Sequence, residues 1–318
     1  MLTLQDIQQA QARISPYVVR TPLLRIPAMD EALGCQVYLK FEGFQPIGAF
    51  KLRGAMNKAL SLTPEELERG VVAASSGNHA QGVACAAHRL GAKAIIVMPT
   101  NANPVKLNGV KEFGAEIELV GTLGTQREAR AAQLVEEQGM VNIHPFADPE
   151  VAAGQGTIGL EVMEDLPDVD AVACPIGGGG LISGIATAVK GLNPAVKTIG
   201  VEPTGAPRYA ISRAQGHAVT LDHVDTIADG TRTDHAVPYN FEMIEDKVDE
   251  LCAVDDDHIR QAMRLLMTKA KLTVEPSGTL PVAAALAGTL PIEKGQKVVF
   301  VLSGGNVDPA LAAEILKG

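Results

Sequence analysis

The chain reads as an α/β protein built on parallel, doubly wound sheet, and three observations predict it. From Val71 onward, short apolar runs alternate with longer helical stretches, the pattern of consecutive β and α units. Three apolar runs end in polar, glycine-rich turns. Ser75-Ser76-Gly77-Asn78-His79 follows Val71–Ala74, Gly177-Gly178-Gly179-Gly180 follows Ala171–Cys174, and Ser303-Gly304-Gly305-Asn306 follows Val298–Leu302. In open α/β sheets the carboxyl ends of the strands face the N-termini of the next helices, and ligands sit along that edge. Composition agrees: 46% hydrophobic residues, 32 glycines and only 3% aromatics suit many small-residue contacts between helix and sheet. At 318 residues the chain can bury a large core, as one domain or as two lobes.

Thr3 caps a helix running to about Ile14, with Asp6 at its third position and Leu4, Ile7 and Ala10 on one face. Arg20-Thr21-Pro22 forces extended chain. A strand over Val37–Lys40 leads into Gly48-Ala49-Phe50-Lys51-Leu52-Arg53-Gly54-Ala55, and Arg53–Leu62 reads as a helix. Thr63-Pro64-Glu65-Glu66 opens another, with cap, proline and third-position glutamate in register. Strand Val71–Ala74 then leads to a helix over His79–Leu90, strand Ala94–Met98 to one begun by Asn103-Pro104 and stopped near Gly114, and strand Ile117–Val120 to one over Thr125–Gln138. Strand Val141–Ile143 closes the series. Next come a helix over Gly154–Asp165, strand Ala171–Cys174, the four glycines, a helix from about Leu181 and strand Thr198–Glu202. Residues 216–240 show no period, and Thr226-Ile227-Ala228-Asp229-Gly230 within them reads as a functional loop. Asp255 caps a helix to about Ala270, where Asp255-Asp256-Asp257 suit the positive helix end rather than a metal.

A formal net charge of -10 argues against nucleic acid, whose backbone demands a basic footprint. No N-terminal run has the order of a signal peptide and no apolar run approaches about 20 residues, so a soluble, cytoplasmic protein without membrane partners is expected. Cys35, Cys85, Cys174 and Cys252 are scattered without a C-x-x-C pair and read as buried small hydrophobes.

The glycine run is the most chemical of these stretches. Without Cβ atoms, successive backbone N–H groups can close on a phosphate at the next helix N-terminus. It is no dinucleotide fingerprint, since the third glycine would fall on Ile182 or Ser183, and no Lys-Ser/Thr follows as a P-loop requires. Lys51 read alone is an ordinary solvated lysine. An aldehyde cofactor, however, is held as an imine by a lysine amine, which burial and nearby positive charge must first bring toward its neutral form.

Taken together, the Lys51 stretch and the three turns, in this order, resemble the pyridoxal-phosphate enzymes of the tryptophan-synthase-β group (fold type II), and within it the serine/threonine dehydratase and serine racemase family. The resemblance runs over nearly the whole chain. It implies two lobes with parallel doubly wound sheets: residues 1–69 and 148–318 as a large cofactor-binding domain, residues 70–147 as a small inserted one, and pyridoxal phosphate in the cleft between them. Lys51 is then the Schiff-base residue and the base for the substrate Cα proton, with Phe50 beside the ring. Gly177, Gly178, Gly179, Gly180 and Leu181 cradle the phosphate, Asn78 contacts the 3-hydroxyl, and Glu275 joins the cofactor-binding set. The turn of Ser75, Ser76, Gly77 and His79 grips the substrate carboxylate through its backbone. Arg127 matches a carboxylate-binding arginine, although a solvated helix arginine fits those residues equally. Ser303 faces the pyridine nitrogen. A neutral hydroxyl there makes the ring a weaker electron sink, which favours prompt loss of a β-leaving group, with proton help from the cofactor phosphate.

Two departures carry information. Threonine-specific relatives usually have alanine at position 76, whereas racemases and 3-hydroxyaspartate dehydratases have serine, so Ser76 is counted as a catalytic candidate able to move a proton on the face opposite Lys51. Glu202 and Ala206 match a divalent-cation site of those relatives, but Arg208 stands where its aspartate should be. The expectation is therefore no metal, with the guanidinium in its place. The implied activity is dehydration and deamination of a β-hydroxy amino acid, L-threonine or L-serine first. A 3-hydroxyaspartate ammonia-lyase using Arg127, Arg208 or Arg232 comes second, a racemase third and a non-catalytic binding protein last. A homodimer or homotetramer is expected, without the regulatory domain of feedback-controlled threonine deaminases.

Overall fold

In the computed structural model, which describes residues 1–102 and 104–317, ten strands form two sheets. In chain order they are β1 (Leu23–Arg25), β2 (Gln36–Phe41), β3 (Val71–Ala74), β4 (Ala94–Met98), β5 (Glu116–Leu119), β6 (Val141–Asn142), β7 (Ala171–Pro175), β8 (Lys197–Pro203), β9 (Glu250–Val254) and β10 (Lys297–Leu302). The larger sheet has the order β1-β2-β10-β7-β8-β9 and the smaller β5-β4-β3-β6. Every pairing is parallel except β1 with β2. Strands β4 and β7 are buried at every residue, which is why both read as unbroken apolar runs rather than as alternating ones.

The last strand in sequence, β10, lies between β2 and β7, with Val298 opposite both Val37 and Ala171. Its carboxyl end therefore delivers Ser303 between the lysine stretch and the four glycines. Phe50 N–H donates to Ser303 O at 3.0 Å, and Ala49 bridges Gly304.

Most predicted helices form where their caps place them. Thr3 and Asp6 bond each other's backbone, as do Thr63 and Glu66 with Pro64 at the first position. The lysine helix spans Lys51–Leu60, so Lys51 opens it, ahead of the Arg53 start expected. The next large helix starts more than a turn before the expected Gly154, at Pro149: Asp148 accepts from the N–H groups of Glu150 and Val151, and its cap signal precedes the apolar period. Its glycines bring backbones together. A Cβ on Gly154 would lie 2.5 Å from Arg53 O, and one on Gly184, in the Gly180–Leu192 helix, 2.3 Å from Ala152 O. The Asp255-capped helix runs over Asp256–Leu265 and ends in a π turn, Leu266–Ala270, closed by Lys271 at φ 61°.

Sequence periodicity misses β1, β9 and the helices Arg208–Gln215, Pro238–Lys247, Leu280–Leu286 and Pro309–Lys317. The strands are short or half-exposed and the first two helices are polar, so their apolar period is weak. Asn103, expected to begin a helix, lies outside the described residues; that helix spans Pro104–Lys111. Three cysteines are buried as expected, but Cys252 is only half-buried because it sits on the edge strand β9.

One apolar cluster packs against the larger sheet through Leu39, Val201, Met263 and Phe300. Another joins Leu52, Ala55, Met56 and Ala59 of the lysine helix to Val71, Ala73 and Ile96 of the smaller sheet. The lysine helix is thus hydrogen-bonded at its start to one sheet and packed along its length on the other. No helix among the described residues is long and apolar enough to cross a membrane.

Candidate active site

The strand ends converge on a cleft of about 1520 Å³ lined by Phe50, Lys51, residues 75–79, residues 177–181, Glu275 and Ser303. All the residues assigned to cofactor or substrate from the sequence line it, Arg127 included. They come from stretches far apart in the chain, and the parallel order of the strands brings them together.

Lys51 Nζ donates to Pro145 O at 2.7 Å and stands 5.1 Å from the centre of the Phe50 ring. Burial, opposed in part by the Glu275 carboxylate, lowers its pKa to about 8. That brings the amine within reach of its neutral, nucleophilic form near neutral pH. The carbonyl it bonds is presented by a turn that His144 organises, its Nδ1 accepting from the N–H groups of Phe146 at 3.3 Å and Ala147 at 2.8 Å.

The glycine turn requires its glycines. Gly179 adopts φ 91°, and a Cβ there would lie 2.6 Å from Tyr209 Oη; one on Gly178 would lie 2.2 Å from Phe146 Cγ. The helix Gly180–Leu192 starts here, and its first turn leaves backbone N–H groups without intrahelical acceptors beside the cleft. Such a nest suits a phosphate.

Asn78 begins the helix Asn78–Leu90 and sits in a hydrogen-bonded chain. Its Nδ2 donates to Glu275 Oε1 at 2.8 Å and Oε2 at 3.1 Å, while its Oδ1 accepts from Asn306 Nδ2 at 2.9 Å. Asn306 Nδ2 also donates to Ile47 O at 2.8 Å, tying the lysine stretch to the same chain. Burial pushes Glu275 up to about 7, against the pull of Asn78. The sequence reading does not single out Asn306, although the Ser303-Gly304-Gly305-Asn306 turn contains it.

Ser75, Ser76 and Gly77 are half-buried at the mouth of β3, and Gly77 N–H donates to Ser75 Oγ at 3.4 Å. The His79 ring is engaged by backbone. Its Nε2 is 2.7 Å from Ile143 O, so that nitrogen carries the proton, and burial drives its pKa down to about 3. His79 thus offers the cleft a backbone N–H and no acid or base. Arg127 is half-buried, its NH1 donating to Thr122 O at 3.3 Å, and Arg232 Nε donates to Thr226 O at 2.7 Å. Lys106 Nζ pairs with Asp229 Oδ2 at 2.9 Å, and Ile227, Asp229 and Gly230 of the 226–230 loop line the cleft.

Arg208 lies behind the cleft wall, so of the three arginines considered only Arg127 and Arg232 line the cleft. Its NH2 donates to Ala206 O at 2.7 Å, its NH1 donates to Gly177 O at 3.1 Å and Thr233 Oγ1 at 2.8 Å, and its Nε is 3.6 Å from Glu202 Oε1. The Glu202 carboxylate also accepts from the N–H groups of Tyr209 at 3.0 Å and Ala210 at 2.9 Å, and burial pushes its pKa to about 7. Among the described residues no group of three His, Cys, Asp or Glu is placed to hold a metal.

The buried lysine amine, the nest of glycine N–H groups, the Asn78 amide and the Ser303 hydroxyl fit an aldehyde cofactor carrying a phosphate and a heteroaromatic ring. Comparison with known proteins agrees. The family described as pyridoxal-phosphate dependent enzyme matches residues 14–304. An L-threonine ammonia-lyase of Thermotoga maritima is 45% identical over 99% of this chain and 78% of the relative. Among solved structures, maize serine racemase superposes with TM-score 0.95 at 40% identity, covering 99% of this chain and 97% of that one. The T.th. threonine deaminase superposes with TM-score 0.91 at 43% identity, covering 96% and 99%.

Proposed function

Since the chain belongs to the family of pyridoxal-phosphate dependent enzymes, we propose that it is an ammonia-lyase that converts a β-hydroxy amino acid, L-threonine or L-serine first, to a 2-oxo acid and ammonia. The observation that carries this reading is a single cleft uniting the buried Lys51 amine, the glycine nest and the uncharged Ser303.

In this reading Lys51 would hold the cofactor aldehyde, Gly177 to Leu181 its phosphate, and Asn78, Glu275 and Ser303 its ring, with Phe50 alongside. When bound, the cofactor draws electron density from the substrate Cα and so acidifies its proton. The N–H groups of the 75–79 turn, with Arg127, orient the substrate carboxylate. Lys51 Nζ would take up the Cα proton of the substrate. Ser303, having no charge, would not enforce a proton on the ring nitrogen, which favours prompt loss of the β-hydroxyl, leaving as water with the equivalent of the Cα proton. Residues 70–147 form the small lobe and the remainder the large one, with the cleft between them, in a homodimer or homotetramer.

Arg208 takes the place of a divalent cation: one guanidinium meets both Glu202 and the Ala206 carbonyl. Activity should then survive chelation, and loss on chelation with recovery by magnesium would overturn this assignment.

A second reading, racemisation, is favoured by Ser76, half-buried in the cleft wall with a hydroxyl that can carry a proton. The purified protein should be offered L-threonine, L-serine, D-serine and both 3-hydroxyaspartates, with oxo-acid release and residual chirality measured. Oxo acid from threonine or serine, abolished with the cofactor's visible absorption by Lys51→Ala, is the expected result. Scrambled serine chirality, lost in Ser76→Ala while elimination persists, would establish the racemase, and preference for a hydroxyaspartate would shift the reading to Arg127 and Arg232.

A further inference from the structure

The N–H groups of a glycine turn can point in many directions, because glycine resists few of them. What aims this turn lies behind it. In a trans peptide the C=O and the following N–H point opposite ways, so whatever grips the oxygen from one side presents the N–H to the other. Gly178 O accepts from Tyr209 Oη at 2.8 Å and from Asn240 Nδ2 at 2.7 Å. Gly177 O accepts from Arg208 NH1 at 3.1 Å, and Gly179 O from Ser183 N–H at 3.0 Å within the next helix. Three consecutive carbonyls are thus gripped by protein donors.

We propose that Tyr209 and Asn240, together with Arg208, are positioning residues for phosphate: holding the Gly177 and Gly178 carbonyls from behind, they aim the N–H groups of Gly178 and Gly179 into the cleft. The inference rests on the reading of residues 177–181 as the phosphate seat.

The construction is stiff at each contact. Tyr209, Asn240 and Arg208 are all completely buried. The Asn240 amide also donates to Phe146 O at 3.0 Å, and the Phe146 ring lies where a Cβ on Gly178 would be. Tyr209 Oη further accepts from Val237 N–H at 3.4 Å, and Arg208 is itself fixed by Ala206 O and Thr233 Oγ1. None of these side chains need touch the phosphate. They act by orienting the turn before the anion arrives, so that binding does not have to do so.

The test separates the phosphate from the rest of the cofactor. The full chain, freed of cofactor, is titrated with pyridoxal phosphate and with pyridoxal, which lacks the phosphate, following visible absorption. Tyr209→Phe keeps the buried ring and removes one donor; Asn240→Leu removes the other at similar volume. Each should weaken pyridoxal phosphate about fivefold, as for a lost hydrogen bond near 1 kcal/mol, with a larger loss in the double variant and pyridoxal unchanged within about twofold. If Asn240→Leu does not fold, Tyr209→Phe alone decides. Equal weakening of both ligands would show general loosening and overturn the inference. So would variants that bind pyridoxal phosphate as tightly as the wild type does. A wild-type protein that binds pyridoxal phosphate no better than pyridoxal would overturn the phosphate seat and the inference together; a wild-type advantage that the variants retain would sink the inference alone.

Discussion

At the residue scale, the proposed chemistry turns on the protonation of one amine. Lys51 is held near pKa 8 by burial, with Glu275 pulling the other way. A protonated amine cannot attack an aldehyde, so cofactor capture by the cofactor-free chain should speed up as pH rises and level off above about 8. Between pH 6 and pH 8 the neutral fraction, and with it the capture rate, should rise about fiftyfold. Stopped-flow absorbance measures it directly; a rate still climbing in step with pH to 10 would mean an ordinary solvated lysine. Asn306 belongs to the same scale. It binds both Ile47 O and Asn78 Oδ1, so the turn before Lys51 and the Asn78 amide are held as one unit.

At the scale of elements, backbones rather than side chains meet at the helix crossings beside the site. The Pro149–Asp165 helix carries Gly154, Gly156 and Gly159, a composition costly to an isolated helix. It is tolerated because Gly154 lies against the lysine helix and Gly156 against Gly184. A Cβ on Gly184 would lie 2.3 Å from Ala152 O and 2.6 Å from Gly156 N, atoms that cannot swing aside. Gly184→Ala should therefore lose about 2 kcal/mol in urea unfolding, overpacking outweighing the gain of about 1 kcal/mol in helix propensity. Gly124→Ala, where the nearest atom would be 3.9 Å away, serves as the neutral control. Equal effects at the two sites would refute the close-approach explanation.

Across the whole molecule, a buried charge network ties the larger sheet to two helices. Arg53, two positions past Lys51, donates to Glu42 Oε2 at 2.7 Å and Glu161 Oε1 at 2.6 Å, and Lys40 Nζ reaches Glu161 Oε2 at 2.6 Å. Two cations and two carboxylates balance with all four side chains at or near full burial. Removing one partner leaves a carboxylate uncompensated, so Arg53→Met should destabilise by about 3–5 kcal/mol. Arg53→Met combined with Glu42→Leu should recover part of that loss, and a double-mutant cycle showing strict additivity would argue that the network is not coupled. Because Arg53 is anchored at the start of the lysine helix, holoenzyme unfolding and cofactor release should be disturbed together.

The α/β class, most of the β–α units and the glycine nest were legible in the sequence because they rest on local signals: apolar runs, caps such as Thr3 and Thr63, and glycines that no other residue replaces. The proposed chemistry of Lys51 was suggested only by the company of the three turns. What the tertiary structure alone decided are the contacts between distant segments. Only strand order shows that β10 enters between β2 and β7 and so brings Ser303 to the lysine. Only packing turns the His79 ring to Ile143 O, buries Arg208 behind the nest, places Tyr209 and Asn240 against it, and joins Asn306 to Asn78 and Ile47. Sequence periodicity reports which face of an element is buried. It carries no information on which distant polar group will meet a buried donor, and at this cleft those meetings set the orientation of the lining groups.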